Sequence, residues 1–158
     1  MNFRLAGLIT ALVAAAALGV AYFAQYGMQL VPCELCLWER WPYRATILLG
    51  IFALLFGGRL AKWLVGLAGL AMLGDIIIAG VHVGVEFRWW PSPLPECNGI
   101  LTPGAALPMT PSVPCDRPVH LISGFPLSMA QMDFLGAIIF TVLLFWMATR
   151  PLKKRRWA

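Results

Sequence analysis

The longest uncharged stretch lies near the N-terminus, where no charged side chain occurs between Arg4 and Glu34. A helix needs about 20 apolar residues to cross a hydrocarbon core of ~30 Å, and residues 5–25 supply them. A secretory signal peptide is the alternative, but its apolar region runs only about 7–15 residues, and further apolar stretches follow here. The sequence therefore predicts an uncleaved first membrane helix.

Composition places the rest of the chain in a membrane as well. Of its 158 residues, 60% are hydrophobic and 12% are charged, whereas a soluble domain carries about 25% charged residues. Three further apolar stretches, 41–58, 63–85 and 134–149, predict three more spans. We therefore expect an all-α membrane protein, in which residues 1–158 form one domain built as a four-transmembrane-helix bundle.

Two loops of this bundle are expected to carry the chemistry, residues 26–40 and residues 86–133. Nine of the 12 prolines fall between Trp90 and Leu127. Proline removes a backbone donor and breaks helices, so the sequence predicts a long Pro-rich loop between helices 3 and 4. A short interfacial helix is expected near the end of this loop, at 127–131.

The distribution of charge predicts the orientation of the bundle. Four spans place both termini on one face, together with a short basic turn at 59–62. Eight of the 12 basic residues and none of the seven acids fall on that face: Arg4, Arg59, Lys62, Arg150, Lys153, Lys154, Arg155 and Arg156. The positive-inside rule makes this face cytoplasmic. All four cysteines then lie on the oxidising side, and the net charge of +5 reflects topology and not nucleic-acid binding.

Cys33 and Cys36 form a Cys-x-x-Cys motif at the start of the second span. Such pairs have lowered thiol pKa values near helix N-termini and cations, and they are redox-active; Pro32 suits a helix start. Arg40 lies one helical turn beyond Cys36, where its guanidinium would favour the Cys36 thiolate and donate hydrogen bonds to a bound acceptor. Arg44, another turn deeper, is a functional candidate because a charge at that depth is costly.

Other uses of this motif fit less well. A zinc site usually needs a second close pair of cysteines or histidines, but Cys97 and Cys115 are far apart in sequence, and the histidines are His82 and His120. Haem attachment needs Cys-x-x-Cys-His, and residue 37 is leucine. We therefore expect a redox-active dithiol and no metal.

The outer-loop cysteines, Cys97 and Cys115, leave two alternatives open on spacing alone. They form either a structural staple, worth about 3 kcal/mol for a loop of this size, or a disulfide that exchanges with other thiols. Two dithiol pairs on one membrane face favour the second alternative, because thiol–disulfide exchange would connect them as an electron relay.

Four other ionisable residues are weighed as secondary candidates. His82 and Asp75 are two turns apart on one side of the third span. His82 either contacts the electron acceptor or is satisfied by a carbonyl, and Asp75 is predicted to be an interhelical hydrogen-bond partner. Glu39 and Glu86 are interpreted as solvated interfacial charges, with Glu39 orienting Arg40.

The sequence resembles the disulfide bond formation protein B (DsbB) family. Four segments carry the resemblance: Pro32-Cys33-Glu34-Leu35-Cys36-Leu37-Trp38-Glu39-Arg40, Pro91-Ser92-Pro93 ahead of Cys97, Pro114-Cys115-Asp116, and Leu127-Ser128-Met129-Ala130. The specific part is a Cys-x-x-Cys-x-x-Glu-Arg sequence that opens a second span. The resemblance extends over four spans and most of the chain.

This resemblance implies a quinone-dependent thiol oxidase of the bacterial inner membrane. Such an enzyme reoxidises a periplasmic thioredoxin-like (DsbA-like) dithiol oxidase and passes the electrons to ubiquinone or menaquinone. By position, Cys97 would form the mixed disulfide with the partner, Cys115 would be its companion, and Cys33 and Cys36 would accept the electrons. The residues implied to lie at the quinone are Cys36, Arg40 and His82.

Three other classes of protein agree less well with the cysteine pattern. In vitamin K epoxide reductase-like proteins the loop cysteines precede the Cys-x-x-Cys, whereas here the motif comes first. A transmembrane electron carrier needs cysteines reachable from both faces, and the charge pattern places all four on one. A membrane scaffold with purely structural cysteines is separated from an oxidase by testing whether Cys97 forms a mixed disulfide with a periplasmic dithiol protein.

Overall fold

Four long α-helices form the framework in a computed structural model that describes residues 3–98, 113–121 and 124–151. They are α1 (Phe3–Tyr22), α2 (Glu34–Phe56), α3 (Gly58–Glu86) and α4 (Met129–Thr149). A π-helical turn, Phe23–Gly27, extends α1, and a 3-10 turn, Pro95–Asn98, follows α3. No strand occurs within the described ranges, so the predicted all-α class is confirmed for this part of the chain.

Three of the helices are long and apolar enough to cross a membrane: α1 with its π-helical extension, α3 and α4. Their outward sides are apolar. Leu12, Ile77 and Ile139 are 60%, 69% and 71% exposed, and they belong to a larger exposed apolar surface of a size that soluble monomers rarely carry. The predictions of membrane-crossing helices at 5–25, 63–85 and 134–149 therefore agree with α1, α3 and α4.

The α2 helix is more polar than the other three because its first half holds four charged residues. These residues are Glu34, Glu39, Arg40 and Arg44. Glu39 and Arg40 are nevertheless buried, since α2 packs against both α1 and α3. The central position of α2 brings its charged side chains inside the bundle, where the functional groups are found.

Glycine allows α1 and α2 to approach closely. A Cβ atom at Gly7 would lie 2.7 Å from the carbonyl oxygen of Gly50, and one at Gly50 would lie 2.7 Å from the nitrogen of Ala11. Small residues at a helix interface let backbones pack against each other in lipid. This contact fixes the position of α1 beside α2, and therefore the position of the π-helical turn near the start of α2.

A single glycine connects α2 to α3. Gly57 has φ +67°, a left-handed conformation that favours glycine at a helix end, and α3 begins at the next residue. Arg59 and Lys62, predicted to lie in a turn, are therefore in the first turns of α3. The prediction missed this because hydropathy detects the apolar part of a helix and not its charged first turn.

The α4 helix begins at a capping box. The Ser128 hydroxyl accepts a hydrogen bond from the Gln131 backbone N–H, and the Gln131 side chain accepts one from the Ser128 N–H, which satisfies two donors of the first turn. The short helix predicted at 127–131 is therefore the first turn of α4. The Ser128 hydroxyl also donates to Glu86, which joins the end of α3 to the start of α4.

The predicted Pro-rich loop at 86–133 is described only in part, since residues 99–112 and 122–123 lie outside the described residues. The described pieces pack onto the outer end of the bundle. Cys115 N–H donates a backbone hydrogen bond to the Cys97 carbonyl, and Met129 N–H donates one to the Val119 carbonyl. Both flanks of the loop therefore lie close to the bundle.

Candidate redox site

The two cysteine pairs lie together at one end of the bundle. Cys97 and Cys115 form a disulfide, whereas Cys33 and Cys36 are free thiols with Sγ atoms 2.8 Å apart. Cys33, Cys97 and Cys115 are all buried in one apolar cluster, against which Cys36 packs. The fold places in one cluster two pairs that lie more than 60 residues apart in the sequence, as a relay requires.

Cys33 occupies the N-cap position of α2. Its sulfur accepts a hydrogen bond from the Cys36 backbone N–H at 3.4 Å, and a helix N-terminus favours negative charge at this position. A hydrogen bond from the Cys36 side chain holds the pKa of the Cys33 thiol well below its ordinary value although burial opposes the shift, and His82 lowers this pKa further. The reactive thiolate is therefore favoured at Cys33, whereas the sequence argument placed it at Cys36.

His82 connects Cys33 to a buried carboxylate. Its Nε2 atom lies 3.5 Å from the Cys33 sulfur, and its Nδ1 atom lies 2.7 Å from Glu39 Oε1. His82 is 3% exposed and Glu39 is 7% exposed. A nucleophile, an imidazole and a carboxylate in this order are the parts that activate a nucleophile by an oriented base.

The prediction for Glu39 was wrong. It was interpreted as a solvated charge that orients Arg40, but it is buried and hydrogen-bonds His82 instead. Residues 36 and 39 are three positions apart on α2, so they share the side of the helix that faces α3. The spacing along α2 already indicated that Glu39 lies on the same side of the helix as Cys36, but only the packing of α2 against α3 identifies His82 as its partner.

A cavity of about 90 Å³ opens beside the inner cysteine pair. The α1 helix and its extension supply apolar walls, and the other helices supply polar groups. The polar residues of the lining, with Gln25 from the α1 extension and Arg117 from the outer loop included, are Gln25, Cys33, Cys36, Glu39, Arg40, Tyr43, His82, Glu86, Arg117 and Asp133. All three residues that the sequence assigned to a bound acceptor, Cys36, Arg40 and His82, line this one cavity.

Arg40 contacts the end of α1 and the π-helical turn that follows it. Its Nη1 atom donates to Gln25 Oε1 at 2.6 Å, and its guanidinium carbon lies 4.9 Å from the centre of the Tyr22 ring. The Nε atom has no hydrogen-bond partner among the described residues. The sequence argument did not identify Gln25, although π-helical turns are frequent at functional sites. Arg44, the second charged candidate, donates to the Tyr22 hydroxyl and does not line the cavity.

A second polar group lies on the far side of the cavity. Tyr43 donates its hydroxyl hydrogen to Asp133 at 2.8 Å. Asp75 is fully buried, and neither of its carboxyl oxygens makes a hydrogen bond within the described part of the chain. Tyr43 of α2 nevertheless interacts with the Asp75 carboxyl, so the role of Asp75 as an interhelical hydrogen-bond partner stays a prediction.

The geometry agrees with what comparison with known proteins finds. The profile of the family described as disulfide bond formation protein DsbB matches residues 3–147. The chain belongs to the DsbB family. Membership of the DsbB family makes it a disulfide-forming oxidoreductase, and together with the three membrane-compatible helices it indicates a bacterial membrane protein.

Individual relatives cover most of the chain. A disulfide bond formation protein B of Shewanella frigidimarina is 28% identical over 86% of this chain and 84% of its own length. One of Pasteurella multocida is 26% identical over 79% and 74%, and an uncharacterized protein of Rickettsia prowazekii is 27% identical over 88% and 89%. No solved structure matches the chain.

Proposed function

We propose that this DsbB-family protein is a quinone-dependent thiol oxidase of the bacterial inner membrane. It oxidises a periplasmic thioredoxin-like, DsbA-like dithiol protein and passes the electrons to ubiquinone or menaquinone. The observation that carries this proposal is the burial of the disulfide Cys97–Cys115 and the inner pair, Cys33 and Cys36, in one apolar cluster. Two pairs held in one cluster can exchange thiols and disulfides through mixed disulfides.

The first exchange takes place at the outer pair. A partner thiolate attacks Cys97, the Cys97–Cys115 bond breaks, and Cys115 leaves as a thiolate. The second thiol of the partner then attacks the mixed disulfide, which releases the partner as a disulfide and leaves Cys97 and Cys115 as a dithiol. Two electrons and two protons have moved from the partner to the outer pair.

The second exchange takes place between the pairs. A thiolate of the outer pair attacks the oxidised inner pair at Cys33, Cys36 leaves, and the resulting mixed disulfide resolves to restore Cys97–Cys115. The inner pair is then a dithiol. The state with an intact outer disulfide and free inner thiols corresponds to the end of this step.

The lining of the cavity beside Cys36 has the chemistry that a quinone head group needs. Its α1 walls are apolar, and the buried Nε atom of Arg40 has no acceptor among the described residues, so it can donate to a carbonyl oxygen of the ligand. A bound quinone supplies a two-electron acceptor that becomes a quinol when the Cys33–Cys36 bond forms. Cys36, Arg40 and His82 would hold it.

His82 and Glu39 manage the proton on Cys33. The Cys33 sulfur must be a thiolate when the inner disulfide forms, and His82 Nε2, 3.5 Å away, is placed to take up and hold the thiol proton. Glu39 accepts a hydrogen bond from Nδ1, which fixes the ring and stabilises its protonated form. Proton transfer by a positioned side chain of this kind contributes about 10²–10⁴-fold to a rate.

The proposal includes a topology. The α2 helix is the fourth span, and its charged residues Glu39 and Arg40 are buried inside the bundle. Both termini and the connection at Gly57 lie on the cytoplasmic side, and the loops that carry the cysteines lie in the periplasm. The basic residues at 59–62 and in the C-terminal tail support this orientation by the positive-inside rule.

A reconstituted assay tests the function. The purified protein is mixed with a reduced thioredoxin-like dithiol protein and a short-chain ubiquinone or menaquinone, and the loss of quinone absorbance is followed. We expect quinol and partner disulfide to form in a ratio of one to one. Quinone that stays oxidised with every dithiol protein tested would refute the proposed activity.

Variants separate the two halves of the reaction. Cys36→Ser should stop quinone reduction while Cys97 and Cys115 still exchange with the partner. Cys115→Ser should trap the partner on Cys97 as a mixed disulfide that survives denaturing electrophoresis and disappears on reduction. A Cys115→Ser protein that traps nothing would favour a structural role for the outer pair.

A further inference from the structure

We propose that the reduced inner pair and His82 form a binding site for one thiophilic divalent cation, of which Zn²⁺ is the type. The ligands are the sulfurs of Cys33 and Cys36 and the Nε2 atom of His82. Occupation of this site would block disulfide formation between the two sulfurs. The binding itself does not depend on the proposed function, whereas the inhibition rests on it.

The ligand atoms are already close to the positions that a metal requires. All three lie within 4.8 Å of one another. Tetrahedral ligands with Zn–S near 2.3 Å and Zn–N near 2.0 Å place a sulfur and a nitrogen about 3.6 Å apart, and Cys33 Sγ and His82 Nε2 are 3.5 Å apart. The two sulfurs need about 3.8 Å and are 2.8 Å apart, so one sulfur must move by about 1 Å.

The position of Cys33 permits this movement. Cys33 is the N-cap residue, with an extended backbone outside α2, so rotation of its side chain does not disturb helical hydrogen bonds. Cys36 is fixed on the first turn of the helix. A Cys-x-x-Cys pair at a helix start thereby supplies two ligands on adjacent turns, and His82 approaches from α3.

The second contact of His82 is the one that metal-bound histidines make. Its Nδ1 atom lies 2.7 Å from Glu39 Oε1, which leaves Nε2 directed at the sulfurs with its lone pair available. A carboxylate on the other ring nitrogen fixes the tautomer and strengthens the histidine as a ligand. The sequence argument against zinc required a second close pair of cysteines or histidines, whereas the fold brings a single histidine from α3, 46 positions beyond Cys36, to the motif.

The site exists in only one redox state. Metal binding requires two thiolates and a neutral histidine and releases the protons that these groups hold: the cation enters, the Cys36 proton and the proton shared by Cys33 and His82 leave, and no electrons move. A Cys33–Cys36 disulfide has no thiolate to offer. Three protein ligands leave the fourth position open to the cavity, where water or a small ligand completes the coordination.

The experiment measures binding without partner or quinone. A Cys97→Ser/Cys115→Ser variant, which retains only the inner pair, is purified in detergent, reduced, and titrated with Zn²⁺ against a chromophoric chelator. Cd²⁺ is titrated in parallel because its bonds to thiolates absorb in the ultraviolet. We expect one ion per chain, with two thiolates bound, and no binding after the inner pair is oxidised.

Matched variants identify the ligands. His82→Ala should weaken binding by about 100-fold and Glu39→Gln by about 10-fold, as loss of an outer partner does, while His120→Ala should bind as the parent does. Melting temperatures show whether each variant is folded. Because Glu39→Gln keeps the shape of the side chain, it provides a second test if His82→Ala does not fold.

Several results would overturn the inference. These are no binding to the reduced parent, equal binding to the oxidised parent, or equal affinity in a folded His82→Ala variant. A separate assay of the wild-type protein should show that micromolar Zn²⁺ stops quinone reduction and that a chelator restores it. Binding with no quinone reduction in metal-free protein would contradict the proposed function alone, whereas quinone reduction without binding would contradict this inference alone.

Discussion

The imidazole ring of His82 connects the Cys33 sulfur to the buried Glu39 carboxylate. One nitrogen faces Cys33 and the other faces Glu39, so a proton that leaves the sulfur can be held on the imidazole while Glu39 balances its charge. Buried charges are tolerated when they are paired and hydrogen-bonded in this way. A change to the Glu39 carboxylate should therefore alter the pKa of the Cys33 thiol.

A Glu39→Gln substitution tests this link. The low pKa of Cys33 means that its thiolate persists as pH falls and is lost only near that pKa. Without the Glu39 charge, His82 holds a proton less firmly, so the pKa of Cys33 should rise towards its ordinary value. Alkylation of Cys33 by iodoacetamide, measured by mass spectrometry across pH, should then require higher pH than in the wild type.

Asp116→Asn is the matched control, because its carboxylate pairs with Arg88 at 3.5 Å and does not line the cavity. Its alkylation profile should coincide with that of the wild type. If the profiles of Glu39→Gln and Asp116→Asn coincide, the Glu39–His82 pair has no influence on the sulfur.

Arg40→Lys tests the quinone-binding side of the cavity. Lysine keeps the positive charge but has neither the Nη1 donor that binds Gln25 nor the Nε donor that is available to the ligand. A hydrogen bond to a charged group is worth about 1.5–3 kcal/mol. The KM for quinone should rise by about tenfold or more, while exchange between Cys97–Cys115 and a dithiol partner stays unchanged. An unchanged KM would remove Arg40 from the binding site.

At this scale the sequence predicted the candidate site residues more completely than the residues that contact them. The four cysteines, Arg40 and His82 follow from motif, spacing and family resemblance. Gln25 and Glu39 do not, because their roles depend on the rotation of α1 and α2 about their axes. A one-dimensional pattern places a residue on a helix but does not say which neighbouring helix it faces.

The α1–α2 interface is the element on which the cavity depends. Gly7 and Gly50 let the two backbones meet, and α1 then continues into the π-helical turn that presents Gln25 to Arg40. A larger side chain at either glycine must push the helices apart. The same displacement would move one wall of the cavity.

Gly50→Leu should therefore destabilise the protein. Overpacking of a tight interface costs about 1–3 kcal/mol, so we expect a lower melting temperature in detergent and a higher KM for quinone. Gly19→Leu is the control, because a Cβ at Gly19 meets no atom within 4 Å. Equal melting temperatures for the two variants would show that the interface tolerates separation.

Helix existence was predictable from hydropathy, and helix ends were not. Apolar stretches located α1, α3 and α4, but α3 begins with Gly58 and its basic neighbours, and α4 begins at the Ser128 cap. Both starts depend on local hydrogen bonds and backbone angles that hydropathy does not measure. The start of α2 at Glu34, with Cys33 as its N-cap, agrees with the prediction, because the Pro32 signal and the Cys-x-x-Cys motif marked it independently of hydropathy.

For the whole molecule, the proposed orientation is tested by labelling intact cells. A cysteine-free parent receives either Phe125→Cys, in the outer loop, or Leu60→Cys, near the α2–α3 connection; both native side chains are exposed. A membrane-impermeant maleimide should label the first variant in intact cells and the second only after permeabilisation. The reverse pattern would invert the topology and exclude a periplasmic partner.

The overall architecture was predictable because lipid leaves few alternatives to helices, whereas the meeting of the two cysteine pairs was not. Cys33 and Cys97 lie on different loops, and only the packing of α2 against α3 and the path of the outer loop bring them into one cluster. Long-range proximity of this kind is a property of the assembled bundle.

The hydrogen bond from Ser128 to Glu86 joins the two ends of the outer loop independently of the Cys97–Cys115 disulfide. When Cys97–Cys115 opens, α3 and α4 stay joined by this hydrogen bond, and the loop remains one continuous segment anchored at both ends. At about 3.3 Å per extended residue, Cys97 can travel up to ~36 Å from Glu86. Cys97 can thus reach a partner protein outside the bundle while the packing of α3 against α4 is kept.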